Sequence, residues 1–133
     1  MRVDPNSHVP VFQQIVDEVH AAIARGVFRA GEALPSVRVL ALELGVNPNT
    51  VQRAFEALER SGVIESRRGV GMFVRRKGRQ SAVEHAEAAV EAAFRGGIRL
   101  ATAASMSPVK TRDVFERTLK DAKDATNDHQ PAR

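Results

Sequence analysis

The chain has 133 residues and a net charge of +4, with no cysteine, tyrosine or tryptophan. That length suits one domain, or a small domain with an appendage, and the missing cysteines exclude disulfides and thiol chemistry. No apolar run approaches the roughly 20 residues of a membrane span, and the first residues carry no signal-peptide core, so a cytoplasmic protein with no membrane partner is expected.

Residues 5–9 read as a polar, extended lead-in containing Pro5, Asn6 and Ser7. From Pro10 to about Arg25 a helix is expected, because Phe12, Ile15, Val16, Val19 and Ile23 stand three or four apart and line one side. Gly26 ends it, and Val27-Phe28 are expected to pack as the chain leaves. Residues 30–35 read as a connector of turn residues, with Pro35 barring helical geometry at Leu34.

Two short helices follow. Ser36 can cap the first with its hydroxyl, Val37, Leu40, Ala41 and Leu44 form its apolar face, and Gly45 stops it. Asn47 caps the second, and Pro48 occupies the first helical position, where a missing N–H costs nothing. Val51, Ala54, Phe55 and Leu58 make a buried stripe, which leaves Asn49, Gln52, Arg53 and Glu56 outward. A pair of core helices with polar outer faces would show the same stripes. A helix–turn–helix presenting Asn, Gln and Arg is also what readout in the DNA major groove requires.

The segment after the pair weighs for the second reading. Ser61-Gly62 punctuates the chain, and Val63–Ser66 and Met72–Val74 are short β-prone runs flanking Arg67-Arg68-Gly69-Val70-Gly71. That pattern predicts a β-hairpin with arginines at its tip, a wing placed to meet DNA backbone or minor groove. Residues 60–79 carry Arg60, Arg67, Arg68, Arg75, Arg76, Lys77 and Arg79 against Glu65 alone. The flanking stretches are net acidic or neutral, so the basic excess lies in this segment. Such a cluster points to a polyanion, here double-stranded DNA.

Several strings now stand in order: Pro10-Val-Phe-Gln-Gln-Ile15, Gly26-Val-Phe-Arg-Ala-Gly31, Leu34-Pro-Ser-Val-Arg38, Leu44-Gly-Val46, Asn47-Pro-Asn-Thr-Val51, Ala54-Phe55 and Gly69-Val-Gly-Met-Phe-Val74. Over about residues 8–76 they resemble the N-terminal DNA-binding domain of the GntR family of bacterial transcription regulators. The resemblance implies that Arg38, Asn47, Pro48, Asn49, Thr50, Gln52, Arg68 and Gly69 lie at the DNA interface. The outward face and the hairpin add Arg53 and Arg67, and Ser36, whose alternative is a cap alone, is added because a helix cap at such a site often also bonds a phosphate. Some members have a basic residue where this chain has Pro48, so backbone or van der Waals contact is expected there. Arg38 has a surface alternative, a pair with Glu43. Glu56 would repel phosphate and is expected at the rim or paired with Arg60.

About fifty residues remain, too few for the large effector domains of the bigger subfamilies, and they resemble the two-helix tail of the YtrA-type subfamily. Val83, Ala86, Val90, Ala93, Gly97, Leu100 and Ala104 alternate three and four apart, the seam of a helix that packs on another helix. Phe94, Ile98 and Ala101 widen the seam, while Gly96-Gly97 leaves a kink or break open. Ser107-Pro108 starts a second helix with Val109, Val114, Phe115 and Leu119 inward, and the chain is polar from about Asp124. Two such helices cannot bury both faces alone, so a homodimer is expected through Val83, Ala86, Val90, Ala93, Phe94, Gly97, Leu100, Phe115 and Leu119. Folding back onto the first domain is the alternative.

Catalysis finds no support. His8, His20, His85 and His129 are scattered without metal-ligand spacing, and Gly69-x-Gly71 lacks the third glycine of a dinucleotide site. No metal, cofactor or catalytic residue is expected. A tail of two helices can barely enclose a ligand pocket, so any small-molecule effector is expected in a small crevice at the dimer interface or the domain junction. The expectation is therefore a mainly α protein with a small β-wing: a winged helix–turn–helix over 1–78 and a helical dimerisation domain over 79–133. Its function would be sequence-specific regulation of transcription at a palindromic operator, most often as a repressor. The alternative is a winged-helix module for protein–protein assembly.

Overall fold

The organising contact lies between the first and third helices. Pro10 fixes the start of α1 (Val11–Ala24), and the amides of Gln13 and Gln14 donate to its carbonyl at 3.0 and 3.1 Å. Ile15, Val16, Val19, Ala22 and Ile23 of α1 are buried and pack with α3 (Pro48–Arg60), whose own buried residues are Val51, Ala54, Phe55 and Leu58. Between them in the chain runs α2 (Val37–Leu44), which adds Leu40 and Ala41 to the same cluster. The computed structural model describes residues 1–127, which form five helices and one two-stranded antiparallel sheet.

The termini of the helix pair follow local chemistry. Ser36 accepts a hydrogen bond from the Val39 amide at 3.2 Å, and Asn47 accepts one from the Asn49 amide at 2.8 Å. Each satisfies a donor that a helix start leaves orphaned. Gly45 closes α2 at φ +66°, a left-handed conformation that lets the Val46 amide reach back to the Ala41 carbonyl at 3.0 Å. The turn between the helices is therefore tight.

The hairpin pairs β1 (Ile64–Arg67) with β2 (Gly71–Val74), placing Ile64 opposite Val74 and Arg67 opposite Gly71. Ile64 and Val74 are buried in the core. Two expectations for the preceding segments need correction. Residues 30–35 are more than a connector, since Ala33 bridges Phe73 on the free edge of β2. The Gly31 amide donates to Val74, Val74 to Glu32, and Leu34 to Met72, at 2.8–2.9 Å. Backbone groups on that edge need partners whatever side chains the neighbouring strand carries. Val27 also does not pack: it is 55% exposed, and Phe28 alone turns inward.

The fourth helix, α4 (Gly78–Ala103), is continuous through Gly96-Gly97, so the break that two glycines left open does not occur. The chain forms two compact units, Met1–Ala89 and the part from Val90 onward, and the division falls inside α4. In the first unit Ala82 is fully buried with Val63, Ile64 and Val74. Gly78 is the tight point there, because a Cβ built on it would lie 2.5 Å from the Val63 carbonyl oxygen and 3.0 Å from Val74 Cγ1. In the second unit Ser107 caps α5 (Pro108–Asn127) by accepting from the Lys110 amide at 3.1 Å. Phe94 and Phe115 meet edge to face, with ring centroids 5.5 Å apart. The helix continues to Asn127, past the point where a polar tail is expected; the rest of that tail, with His129, lies outside the described residues.

A stacked histidine pair joins α1 to the first part of α4. The rings of His20 and His85 lie 3.7 Å apart at 10°. His20 is 1% exposed, and its Nδ1–H donates to the Val16 carbonyl at 2.9 Å, which leaves Nε2 as an acceptor without a partner among the described residues. His85 donates from Nε2 to Asp17 at 3.3 Å. Burial, then the neighbouring His85, holds the His20 pKa below the ordinary histidine value. Protonation would place a charge and an unaccepted N–H in the core.

Two outcomes are expected. Gly78→Ala should destabilise the first unit by about 1–3 kcal/mol, because the obstacle is backbone that cannot rotate away; denaturant unfolding measures it, and an unchanged midpoint would contradict the contact. Stability should be flat above about pH 6.5 and fall as pH drops below it, since the unfolded chain then binds a proton at His20 that the folded chain refuses. The slope approaches about 1.4 kcal/mol per pH unit for one group and levels off below the depressed folded pKa. In His20→Phe that component should vanish from a pH series of melts.

Candidate nucleic-acid interface

The polar face of α3 is exposed because its opposite face is consumed by the core. Asn47, Pro48, Asn49, Gln52 and Arg53 are exposed and Thr50 is half-buried. Pro48 stands at the first helical position, so the helix opens without an orphan N–H there. Gln52 donates to Glu56 at 3.4 Å, one turn on. Glu56 thus engages Gln52, and no pair with Arg60 forms among the described residues. Arg53 leans to the other flank, its guanidinium carbon 3.8 Å above the centre of the Phe12 ring.

Arg38 lies on the first turn of α2, exposed, with no hydrogen bond or ion pair among the described residues; the alternative pair with Glu43 does not form. Its charge is uncompensated. Ser36, just before it, uses its oxygen to cap the helix.

The wing distributes its arginines unequally. Strand alternation puts Glu65, Arg67 and Phe73 on one face of the hairpin, with Ile64 and Val74 on the other. Arg67 therefore lies over the Phe73 ring, at 4.1 Å, and 3.5 Å from Glu65. Glu65 also reaches Arg75, at 4.0 Å. All three side chains are about half exposed, so these pairs hold geometry more than stability. Arg68, Gly69 and Val70 form the tip, with Gly69 at φ +76° and the Val70 amide bonded to the Arg67 carbonyl at 2.9 Å. Arg68, Arg76 and Lys77 carry no ion pair among the described residues, whereas Arg79 donates to the Ala24 carbonyl at 3.4 Å. Sequence reasoning missed Val70, an apolar side chain 71% exposed at the tip.

The first unit thus gathers the uncompensated Arg38, the polar flank of α3 and a basic hairpin tip. Among the described residues no three His, Asp or Glu side chains could hold a metal ion, and of the histidine pair His20 is buried while His85 is partly exposed. No described helix is long and apolar enough to cross a membrane.

In the second unit the expected dimerisation residues lie on α4 and α5. Val90, Phe94, Leu100, Phe115 and Leu119 are all exposed, Leu100 at 75%, and α5 has no buried residue. Val83 and Ala86 precede them on the part of α4 that belongs to the first unit. Ala93, Phe94, Gly97, Ile98, Met106 and Phe115 are among the residues lining a hollow of about 580 Å³. That is more room than a two-helix tail is expected to provide.

Comparison with known proteins places these features. Residues 12–74 match the model for bacterial regulatory proteins of the gntR family. Over 84 residues the chain is 38% identical to the HTH-type transcriptional repressor YtrA of Bacillus subtilis, covering 63% of this chain and 65% of that one. The chain spans less than two thirds of the length of the curated relatives it matches first. A GntR family transcriptional regulator from Listeria monocytogenes superposes with a TM-score of 0.72 and 30% identity, over 86% of this chain and 98% of that one. The DNA-binding domain of AraR, solved in complex with operator ORX1, aligns with a TM-score of 0.52 and 26% identity, over 56% of this chain and 94% of that one. A winged helix–turn–helix with these likenesses leaves one assignment: the chain belongs to the GntR family of transcription regulators, and within it is similar to YtrA.

Proposed function

We propose that the protein is a sequence-specific regulator, in the sense of a repressor, that binds a palindromic operator as a homodimer. Its first domain (1–78) carries the DNA contacts and the remainder (79–133) the dimer contacts. The observation that carries the reading is the uncompensated Arg38 beside the exposed polar face of α3. In this reading α3 enters the major groove with Asn49 and Gln52 toward base edges, and Asn47, Pro48 and Thr50 fit the groove wall. Ser36 and Arg38 anchor α2 on the near strand. Arg67, Arg68 and Gly69 bring the wing to the neighbouring backbone, where Arg76 and Lys77 add counter-charge. Net charge of this sign speaks for a duplex over an apolar or basic protein partner. The operator complex of AraR supports the same use of a related domain.

The dimer is supported by the tail itself. Helices with Phe94, Leu100, Val109 and Phe115 exposed and nothing buried along α5 leave an apolar surface that water penalises. A second copy covers it with the same residues, and two-fold symmetry matches two half-sites. The hollow beside Phe94 and Phe115 is where an effector would reach that surface.

Duplexes selected from a random pool by the purified protein would supply the operator, and inverted repeats in them are expected. Against such a duplex, Arg38→Ala should lose about 1–3 kcal/mol if it pairs with a guanine. A purely phosphate-bound Arg38 would weaken specific and random DNA alike and lower the salt slope by about one. No change on either DNA would remove Arg38 from the interface. Leu119→Glu should convert a dimer to a monomer in sedimentation and weaken operator binding by about 10²-fold, the avidity of the second half-site. Wild-type protein sedimenting as a monomer would overturn the dimer.

A further inference from the structure

Arg53 and Phe12 stand far apart in the chain yet form one unit. The guanidinium carbon lies 3.8 Å above the ring centroid, and Arg53 has no carboxylate at ion-pair distance among the described residues. With Asn49, Thr50, Pro10 and Val11 the two side chains line an open groove of about 410 Å³ at the edge of α3. We propose that Phe12 is a positioning residue for DNA binding: it holds Arg53 flat at the flank of α3, so that the guanidinium meets a backbone phosphate bordering the groove. The proposal rests on the reading of α3 as the recognition helix.

Three considerations support it. A guanidinium stacked by its face keeps its N–H groups free along the edge, in the fork that matches phosphate oxygens. An arginine already restrained by a ring loses less side-chain freedom on binding than one moving in water. The flank also decides the partner. Gln52 is tied to Glu56 one turn on, whereas Arg53 leans the other way onto Phe12 of α1. The wing repeats the arrangement with Arg67 over Phe73, but there Glu65 shares the charge. Arg53 has no such competitor.

The test is a double-mutant cycle of Phe12→Leu and Arg53→Ala, read by fluorescence anisotropy on a random-sequence duplex at several salt concentrations. Phe12→Leu keeps apolar volume but removes the ring face, and should weaken binding about three- to tenfold. Arg53→Ala should weaken it at least as much and lower the salt slope by about one. The double variant should bind no worse than Arg53→Ala alone, and Phe12→Tyr should bind like the wild type. If Phe12→Leu costs the same in the Arg53→Ala background, the ring acts by packing and the proposal is overturned. It is equally overturned if Phe12→Leu binds like a wild type that does bind the duplex. A wild type that ignores the duplex would instead sink the DNA reading. Thermal melts run alongside, and Phe12→Met replaces Phe12→Leu should that variant not fold.

Discussion

Everything in the first unit depends on how α3 divides its surface. Val51, Ala54, Phe55 and Leu58 are withdrawn from water by α1 and the hairpin, and with that stripe fixed the helix cannot roll. The polar residues are then presented at a set angle at no extra cost in order. Burial on one side of a helix is what makes the other side a stable instrument. The caps at Ser36 and Asn47 and the left-handed Gly45 add precision by fixing where α2 stops and α3 begins.

Charge is arranged with similar economy. Only Glu65 opposes the seven basic residues of the 60–79 stretch, and it lies where it engages Arg67 and Arg75 on the sheet face, short of the tip. Among the described residues Arg68 at the tip and Arg76 and Lys77 just after β2 have no ion pair. The internal carboxylate thereby steadies the strands, while the field around the tip stays positive. The folded wing is consequently less a uniform patch of charge than a braced support with one free end.

The parts of this structure that were legible in the sequence are those governed by neighbours in the chain. Helical stripes, caps, a proline at the first position and a glycine-containing hairpin are all local, and each appears where its residues imply. What the sequence hid depends on partners far along it. Nothing in Gly31-Glu-Ala-Leu34 has strand propensity; it pairs because β2 has an open edge. His20 and His85 share no spacing that could suggest a stacked pair, and their contact follows from where α4 crosses α1. The same holds for Arg53 on Phe12: the outward direction of Arg53 was readable, but the ring beneath it was not. The exposure of Val70 was unreadable for another reason, since apolar residues at hairpin tips carry no periodic signal.

A glycine at the point where one unit's wing gives way to a long helix is easily taken for a hinge. Gly78 is the reverse, because a carbonyl oxygen occupies the space that any other residue's Cβ would need. Its small size serves contact, and the first turns of α4 are wedged against the wing's base. The root of α4 is thus seated against Val63 and Val74 as a close-packed joint, where even one added methyl group would have to displace backbone.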